Sequence, residues 1–339
     1  MVETKRTKLG LALWGTAPVP ELVRQVQIAE GIGFESVWVI DSQLICRELF
    51  VTLTACLAST SRIKLATGVT QPVTRHVSTT ASAIATLNEM YPGRILSGVG
   101  TGFSSLRTIG MPTAKAAQLE TFVCSLRSLL RQQEVTFPGG VSSALSWLET
   151  PCLTEVLIAA SGPRMTRLGA AIGDGLILLQ GVAPHLLERG LGWMSDGAEQ
   201  AGRDPHDLSV TCWTPLGVGM SSQQGRDDVR ARVASSLMQA SPEWYEGEER
   251  ASLQNLREAY NSFEHAASRP DHAAYISDEM VKQYAVAGDP VEISEQLSAL
   301  MLHPRIDRVV LTAHGGNSSL NEVLRTLEKS VLPKIDMVF

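Results

Sequence analysis

The chain lacks the sequence features that mark several large classes of protein. Its 339 residues carry a formal charge of only −6, and no cluster of Lys or Arg interrupts them. This argues against nucleic acid and against an anionic membrane surface as partners. No apolar run reaches membrane-spanning length, and the N-terminal MVETKRTKLGLALWG has neither the apolar core nor the cleavage site of a signal peptide. We therefore expect a cytoplasmic protein without a membrane segment.

Cysteine is scarce and unpatterned. The cysteines are odd in number and scattered, with no CxxC pair and no histidine at metal-ligand spacing. Such spacing favours reduced, mostly buried thiols and predicts no metal site. The five residues are Cys46, Cys56, Cys124, Cys152 and Cys212.

Short apolar runs are what the chain has in number, and each precedes a longer segment with helical periodicity. This alternation is typical of parallel strands joined by crossover helices. The runs fall at 9–15, 36–41, 63–69, 94–100, 155–160, 175–180, 208–218 and 308–314. Eight such strands predict an α/β fold of the (β/α)8 TIM-barrel type.

An open, doubly wound sheet is the alternative fold for the same alternation. Its dinucleotide-binding fingerprint is missing, because the first strand-to-helix junction reads WGTAPVPELV. The later GVGTG is only a partial match and follows the fourth strand. The barrel is therefore the favoured prediction.

Two connections are too long for barrel turns. Residues 133–151 contain Pro138, Gly139 and Gly140 between short extended pieces, and they predict a hairpin or excursion before strand five. Residues 221–288 carry charged, helix-forming segments and predict an insertion after strand seven. Since no repeat or low-complexity tract separates these parts, we treat residues 1–339 as one elaborated domain.

The predicted strand ends form a neutral rim that is rich in glycine. In a barrel this rim carries the active site. It lacks the paired carboxylates of a glycosidase, the cluster of a metal hydrolase and any GxSxG motif, and so it suits a flat cofactor that performs the chemistry. Within the third strand, LATGVTQPVTRH, Gly68 marks a bulge or a close approach to the backbone.

The turns after strands four, five and six are candidates for an anion site. Backbone N–H groups at helix N-termini, together with the hydroxyls of Thr101 and Ser161, favour a phosphate. Alternatively, the glycines only make tight turns. The candidate residues are Gly100, Thr101, Gly102, Ser161, Gly162, Gln180 and Gly181.

Two stretches, VTQPVTRHVSTTASAIATLNEMYPGRILSGVGTG and LIAASGPRMTRLGAAIGDGLIL, resemble the bacterial luciferase-like oxidoreductases. Within that family the likeness is nearest to the methylenetetrahydromethanopterin reductases, which use the deazaflavin coenzyme F-420. It covers residues 8–219 and, more loosely, residues 285–327. These segments are specific to the superfamily and not to one substrate.

The resemblance implies a TIM barrel that holds a reduced flavin-type cofactor, F-420 or FMN, at its C-terminal mouth. In several relatives a strand-three bulge behind the central ring contains a non-prolyl cis peptide, which maps here to Gly68–Val69, followed by Thr70. The cofactor phosphate would lie by the three turns named above. The resemblance further implies a small-molecule substrate, a separate enzyme that reduces the cofactor, and a homodimer.

The end of strand two departs from the family pattern. Many relatives carry Asp-His or a similar acid or histidine there, whereas this chain has Asp41-Ser42. Asp41 is a candidate proton donor if its pKa is raised by burial, or it caps the following loop. Ser42 donates a hydrogen bond but is a poor acid. His76 is a further catalytic candidate, although a histidine that begins a helix is more often structural.

Three residues near strand ends are candidates for the substrate pocket. Trp14 and Trp213 end strands one and seven. They either line the substrate pocket or pack in the core. His314 ends strand eight.

Two reactions are compatible with this reading. The first is hydride transfer from F-420 to a C=C, C=N or C=O bond of a small organic substrate, which the nearest likeness favours. The alternative is an FMN-dependent two-component monooxygenase that uses O2. A third possibility is a non-catalytic barrel that binds a flavin or another phosphorylated ligand.

Overall fold

Parallel strands close into a barrel in the part of the chain that the structure describes. A computed structural model describes residues 7–245, 247–261, 264, 267, 270–313 and 319–335. Around the barrel the strands follow the order β9, β11, β1, β2, β3, β4, β7, β8, and β8 pairs with β9 to close the ring. The strands are β1 (Lys8–Leu13), β2 (Ser36–Val39), β3 (Lys64–Thr70), β4 (Ile95–Val99), β5 (Val135–Thr136), β6 (Ser142–Ser143), β7 (Val156–Ala160), β8 (Gly175–Leu178), β9 (Ser209–Val218), β10 (Val286–Gly288) and β11 (Arg308–Ala313). The predicted (β/α)8 barrel is confirmed.

Helices surround the barrel and extend above it. The first, α1, buries a stripe that includes Leu22, Val26 and Ala29, and it ends before Gly33, whose φ of 101° is left-handed. The helices are α1 (Val19–Ile32), α2 (Leu49–Ala58), α3 (Val77–Met90), α4 (Ser104–Arg107), α5 (Ala116–Leu130), α6 (Pro163–Ile172), α7 (Pro184–Gln200), α8 (Ser222–Leu237), α9 (Gly247–Ala259), α10 (Asp278–Tyr284), α11 (Pro290–Met301) and α12 (Leu320–Thr326). None of these helices is long and apolar enough to cross a membrane.

The barrel strands read as continuous apolar runs because both of their faces are buried. Outward-facing residues such as Leu11 and Val37 pack beneath the helices. Inward-facing residues fill the barrel, among them Ala12, Trp38 and Leu96. The interior is therefore packed below the mouth, and a site has room only at the upper end.

Charged side chains occupy the N-terminal end of the barrel. Arg308 donates from Nε to Oε2 of Glu35 at 3.0 Å and from Nη1 to Oγ1 of Thr211 at 3.2 Å. Nζ of Lys64 lies 3.2 Å from Oε1 of Glu35. Burial raises the pKa of Glu35, but the hydrogen bond and charge of Arg308, with the charge of Lys64, outweigh it and lower the pKa to about 2. This end is closed by paired charges.

The two long connections differ in structure. Residues 133–151 contain the antiparallel hairpin of β5 and β6, as the hairpin prediction has it. Residues 221–288 contain α8, α9 and α10, and they end in β10, which pairs with the last residues of β9. We propose that the insertion shares one domain with the barrel, because Leu186 of α7 lies in the same hydrophobic cluster as Val233 of α8 and Met280 of α10.

Candidate active site

A cavity opens at the C-terminal mouth of the barrel, beneath α8. Its volume is about 980 Å³, including its open mouth. Nine of the residues predicted for the site line it: Trp14, Asp41, Ser42, Gly68, Val69, Gly100, Thr101, Gly102 and Trp213. The other described lining residues are Ile40, Phe103, Ser104, Ser105, Ala159, Ile177, Leu179, Pro215, Arg232, Ser235, Ser236, Gln239 and Thr312.

The third strand bulges where the sequence predicts it. The Gly68–Val69 peptide bond is cis, and the pairing of β3 with β4 shifts register between Thr67 and Thr70. A Cβ at position 68 would lie 3.1 Å from Cη2 of Trp213 and 3.1 Å from Cβ of Trp38. The bulge and its cis peptide are confirmed, and the group that approaches the Gly68 backbone is an indole ring.

The turn after β4 forms one wall of the cavity. Gly102 has a φ of +79°, and a Cβ at Gly100 would lie 2.9 Å from Cγ2 of Val69. The backbone carbonyl of Thr101 accepts a hydrogen bond from the N–H of Ala114 at 2.9 Å. This turn therefore packs against the β3 bulge, and its predicted contact with a cofactor phosphate stays a prediction.

The turns after β7 and β8 pack against the insertion. A Cβ at Gly162 would lie 2.6 Å from Cη2 of Trp244, and a Cβ at Gly181 would lie 2.7 Å from the carbonyl oxygen of Gln283. Both glycines thus make room for the insertion, and their predicted contact with a cofactor phosphate stays a prediction.

Three polar residues that are predicted to bind the cofactor also lie outside the described cavity lining. Ser161 donates from Oγ to the carbonyl of Gln239 at 3.3 Å. Gln180 is buried, and its side chain packs against Gly190 of α7, where a Cβ would lie 2.7 Å from Cγ of Gln180. Thr70, the last residue of β3, is fully buried beside the carboxyl of Asp41. None of the three is among the described residues that line the cavity, and their predicted contact with the cofactor stays a prediction.

Asp41 is the carboxylate among the described lining residues, and it is 6% exposed. The Arg75 guanidinium donates to Oδ2, and Nε2 of Gln43 donates to Oδ1 at 3.1 Å. Burial raises the pKa of Asp41, against the opposing effect of the Arg75 charge. Arg75 is shared with Glu48, whose Oε1 lies 2.7 Å from Nη2. The pKa of Asp41 is therefore shifted upwards, as a proton donor requires, although the carboxyl is ion-paired with Arg75.

Ser42 and His76 have different surroundings. The hydroxyls of Ser42 and Ser104 lie 2.5 Å apart at the cavity wall. His76 is exposed and caps α3, accepting from the backbone N–H of Ser78 at 3.3 Å. The capping contact supports the structural role of this histidine, and its catalytic role stays a prediction. His314 lies outside the described residues.

The tryptophans at the mouth occupy different levels. Trp14 directly follows β1. Trp213 lies in the middle of β9, not at its end, because β9 continues beyond the barrel to pair with β10. Its ring meets that of Trp38 edge to face, with centroids 6.0 Å apart. Trp213 therefore joins the interior core to the cavity wall.

Of the described lining residues that were not predicted from the sequence, one is charged. Arg232 of α8 is 3% exposed, and its guanidinium lies 5.3 Å from the centroid of the Trp14 ring. Its surrounding sequence, RDDVRARV, is typical of a solvated helix face. No sequence signal separates this arginine from its neighbours Arg226 and Arg230, because burial alone distinguishes them.

The lining is compatible with a flat cofactor that has polar edges. Apolar and aromatic groups such as Val69, Ile177 and Trp213 face the cavity, and glycines leave the backbone of β3 and of the β4 turn accessible. Oγ1 of Thr312 is buried with no hydrogen-bond partner among the described residues. The described part of the chain contains no group of three or more side chains that could hold a metal ion.

Several known proteins are similar to this chain in sequence and in fold. The family model for luciferase-like monooxygenases matches residues 6–303. A 5,10-methylenetetrahydromethanopterin reductase of Methanolobus tindarius is 26% identical over 304 residues, 86% of this chain and 90% of the relative. An F-420-dependent glucose-6-phosphate dehydrogenase of Nakamurella multipartita is 33% identical over 268 residues, 74% of this chain and 78% of the relative. The solved structure of the coenzyme F-420-dependent tetrahydromethanopterin reductase from Methanopyrus kandleri matches with a TM-score of 0.80 at 21% identity, over 98% of this chain and 100% of that one.

Proposed function

Because the chain belongs to the luciferase-like monooxygenase family and is an oxidoreductase, we propose that it transfers a hydride from reduced coenzyme F-420 to a small organic substrate. The observation that carries this proposal is the cavity against the β3 bulge, together with the F-420-dependent relatives. When bound, the deazaflavin would supply the hydride. Its electrons would come from a separate enzyme.

The residues around the bulge fit such a cofactor. Gly68 and Val69 would lie behind the central ring, and Trp213 would flank it from β9. The turn of Gly100, Thr101 and Gly102 would hold the phosphate, because its backbone faces the same cavity. The barrel would therefore bind and orient the cofactor. The apolar groups of the cavity wall would exclude water from its ring.

Asp41 is our candidate for the donor of the proton that must accompany the hydride. Its carboxyl borders the cavity, and burial raises its pKa. Ser42 would hold the substrate or a water by a hydrogen bond, since its hydroxyl lies at the cavity wall, where it is hydrogen-bonded to that of Ser104. A carboxyl whose pKa approaches the working pH is an efficient acid.

An FMN-dependent monooxygenase is the second candidate, and the description of the matching family as monooxygenases favours it. The same cavity would then hold reduced FMN and admit O2. A non-catalytic flavin-binding barrel is the third candidate. For each of them we propose a homodimer in the cytoplasm, as expected from the sequence.

A cofactor titration tests this proposal. The purified protein is titrated with reduced F-420, FMN and FAD, and binding is followed by the fluorescence or absorbance of each cofactor. We expect micromolar binding of F-420. Ala159→Phe, which fills the cavity wall, should weaken it by about tenfold or more, since it removes the space for the ring. Ser143→Phe, on the exposed hairpin, is the matched control and should leave it unchanged.

The outcomes separate the candidates. Oxidation of reduced F-420 by an organic substrate without oxygen supports the reductase. Oxygen consumption with reduced FMN and a substrate supports the monooxygenase. If none of the three cofactors binds with micromolar affinity, all of these candidate functions are contradicted.

A further inference from the structure

Helix α8 presents one polar face to the cavity. Arg232, Ser235, Ser236 and Gln239 line the cavity, and their spacing of three, four and seven residues places them on the same side of the helix and of the turn that follows it. The charged residues Asp227 and Arg230 lie elsewhere on the helix and bind Asp278 or each other. The insertion therefore contributes a wall of the site.

The ends of this face lie above opposite sides of the barrel. Arg232 sits over Trp14, which follows β1, whereas the carbonyl of Gln239 accepts from Ser161, which follows β7. In the closed order of eight strands, β1 and β7 are four strands apart. Seven helical residues span about 10 Å, enough to cross much of the mouth. Arg232 is thus on the far side from β7, and three strands from β4, whose turn we propose for the cofactor phosphate.

The charge of Arg232 has no carboxylate partner among the described residues. Its Nη2 donates to the carbonyl of Ala267 at 2.9 Å, while Nε and Nη1 have no acceptor there. Burial lowers the pKa of Arg232 to about 10, against a smaller opposing effect of Tyr260, so the side chain stays cationic at neutral pH. A buried cation without a counter-ion is unfavourable, and such groups usually bind an anion.

Tyr260 and His272 lie near Arg232 and do not neutralise it. Tyr260 donates its hydroxyl to Oγ of Ser235 at 3.2 Å, and burial raises its pKa, which keeps it neutral. His272 is 2% exposed and stacks on the Tyr260 ring, with centroids 4.3 Å apart. Burial lowers the pKa of His272, so it too is neutral. Among the described residues, nothing else completes the environment of Arg232, which leaves its guanidinium open to a group that enters the cavity.

We propose that Arg232 binds a carboxylate of the substrate, and that the substrate of this enzyme is a small organic acid. This inference rests on the proposed function, since it places the acid beside a cofactor at the mouth. Arg232 is the one cation among the described lining residues, which matches a single negative charge better than a phosphate dianion. Trp14 and Trp213 would contact the apolar part of the acid.

Ligand binding with a charged and an uncharged probe tests the inference. Benzoate and benzamide have nearly the same shape and differ in charge, and their binding to the cofactor-loaded protein is followed by tryptophan fluorescence. The wild type should bind benzoate about tenfold or more tightly than benzamide. Arg232→Gln should lose this preference and leave benzamide affinity unchanged, whereas Arg232→Lys should keep part of it. Arg24→Gln, which removes an exposed arginine paired with Glu21, is the charge-matched control and should behave like the wild type.

Further outcomes would overturn the inference or assign the arginine elsewhere. Equal benzoate affinity in the wild type and Arg232→Gln contradicts it. If Arg232→Gln weakens FMN binding but not riboflavin binding, the arginine binds the cofactor phosphate and not the substrate. If no cofactor binds to any variant, the proposed function fails, while benzoate and benzamide binding to the cofactor-free protein still tests the arginine.

Discussion

Two arginines, each almost fully buried, lie at opposite ends of the barrel and differ in their partners. Arg308 is 2% exposed at the N-terminal end and has Glu35 and Thr211 as partners. Arg232 is 3% exposed at the mouth and has the carbonyl of Ala267 and the face of the Trp14 ring. Similar burial is therefore accompanied by complete pairing at one end and incomplete pairing at the other.

The difference separates structural charge from charge that is available to a ligand. A buried ion pair that forms on folding stabilises the native state relative to one with a partner removed. A buried charge that lacks its counter-ion is kept at the expense of stability, which is common where a site must recognise a ligand. Four measurements can break or sharpen this comparison.

The largest effect is expected at the N-terminal end of the barrel. Arg308→Met leaves Glu35 half-enclosed with Lys64 as its remaining charged partner, and it should lower the free energy of unfolding by about 3–5 kcal/mol. Urea unfolding followed by circular dichroism measures it. Arg24→Met, which removes an exposed pair, is the control and should change the same quantity by less than about 1 kcal/mol. A similarly small change for Arg308→Met would show that the pair does not stabilise the fold.

The pH dependence of stability reports the same pair from the side of Glu35. Its pKa is about 2 in the folded state against 4.5 in the unfolded chain. The stabilisation of up to about 3 kcal/mol is therefore complete above the unfolded value and is lost as the pH falls through the folded one. Unfolding free energies of the wild type and Glu35→Gln, measured between about pH 6 and pH 2, should converge at the acid end. Parallel curves over this range would contradict the assignment.

The fold was largely predictable from the sequence because fully buried parallel strands are continuous apolar runs. All eight barrel strands lie at or near the predicted positions. The three-residue strand β10 was missed, because Val286–Gly288 is too short to show a period. Trp213 was misplaced at a strand end, although the predicted run 208–218 has nearly the bounds of β9 and contains Trp213 in its middle.

The site was predictable only in part, since a glycine signals a close approach without identifying what approaches. At Gly68 the approaching group is the Trp213 indole, and the residue does line the cavity. At Gly162 and Gly181 the approaching groups are Trp244 and the backbone of Gln283, both from the insertion. Arg232 was missed for the related reason that its burial depends on how α8 lies across the mouth, which no local pattern records.

At the mouth, the largest expected effect is on catalysis. Asp41→Asn should leave cofactor binding unchanged and lower kcat by about 100-fold, the usual scale for the loss of a general acid. The pH profile of kcat should also lose the limb that the wild type owes to the Asp41 carboxyl. Glu48→Gln breaks the other ion pair of Arg75 without touching the cavity, and it is the matched control. Equal losses in the two variants would show that Asp41 acts only by holding Arg75.

The smallest effect on stability is expected at Arg232, where the pairing of the buried charge is most incomplete. Arg232→Met removes one hydrogen bond, to Ala267, and the contact with Trp14, each of about 1 kcal/mol, but it also removes the unfavourable burial of an unpaired charge. The free energy of unfolding should therefore change by less than about 1 kcal/mol or increase, in contrast to Arg308→Met under the same conditions. If the two substitutions destabilise equally, Arg232 is a structural arginine like Arg308, and its role in recognising an acid loses its main support.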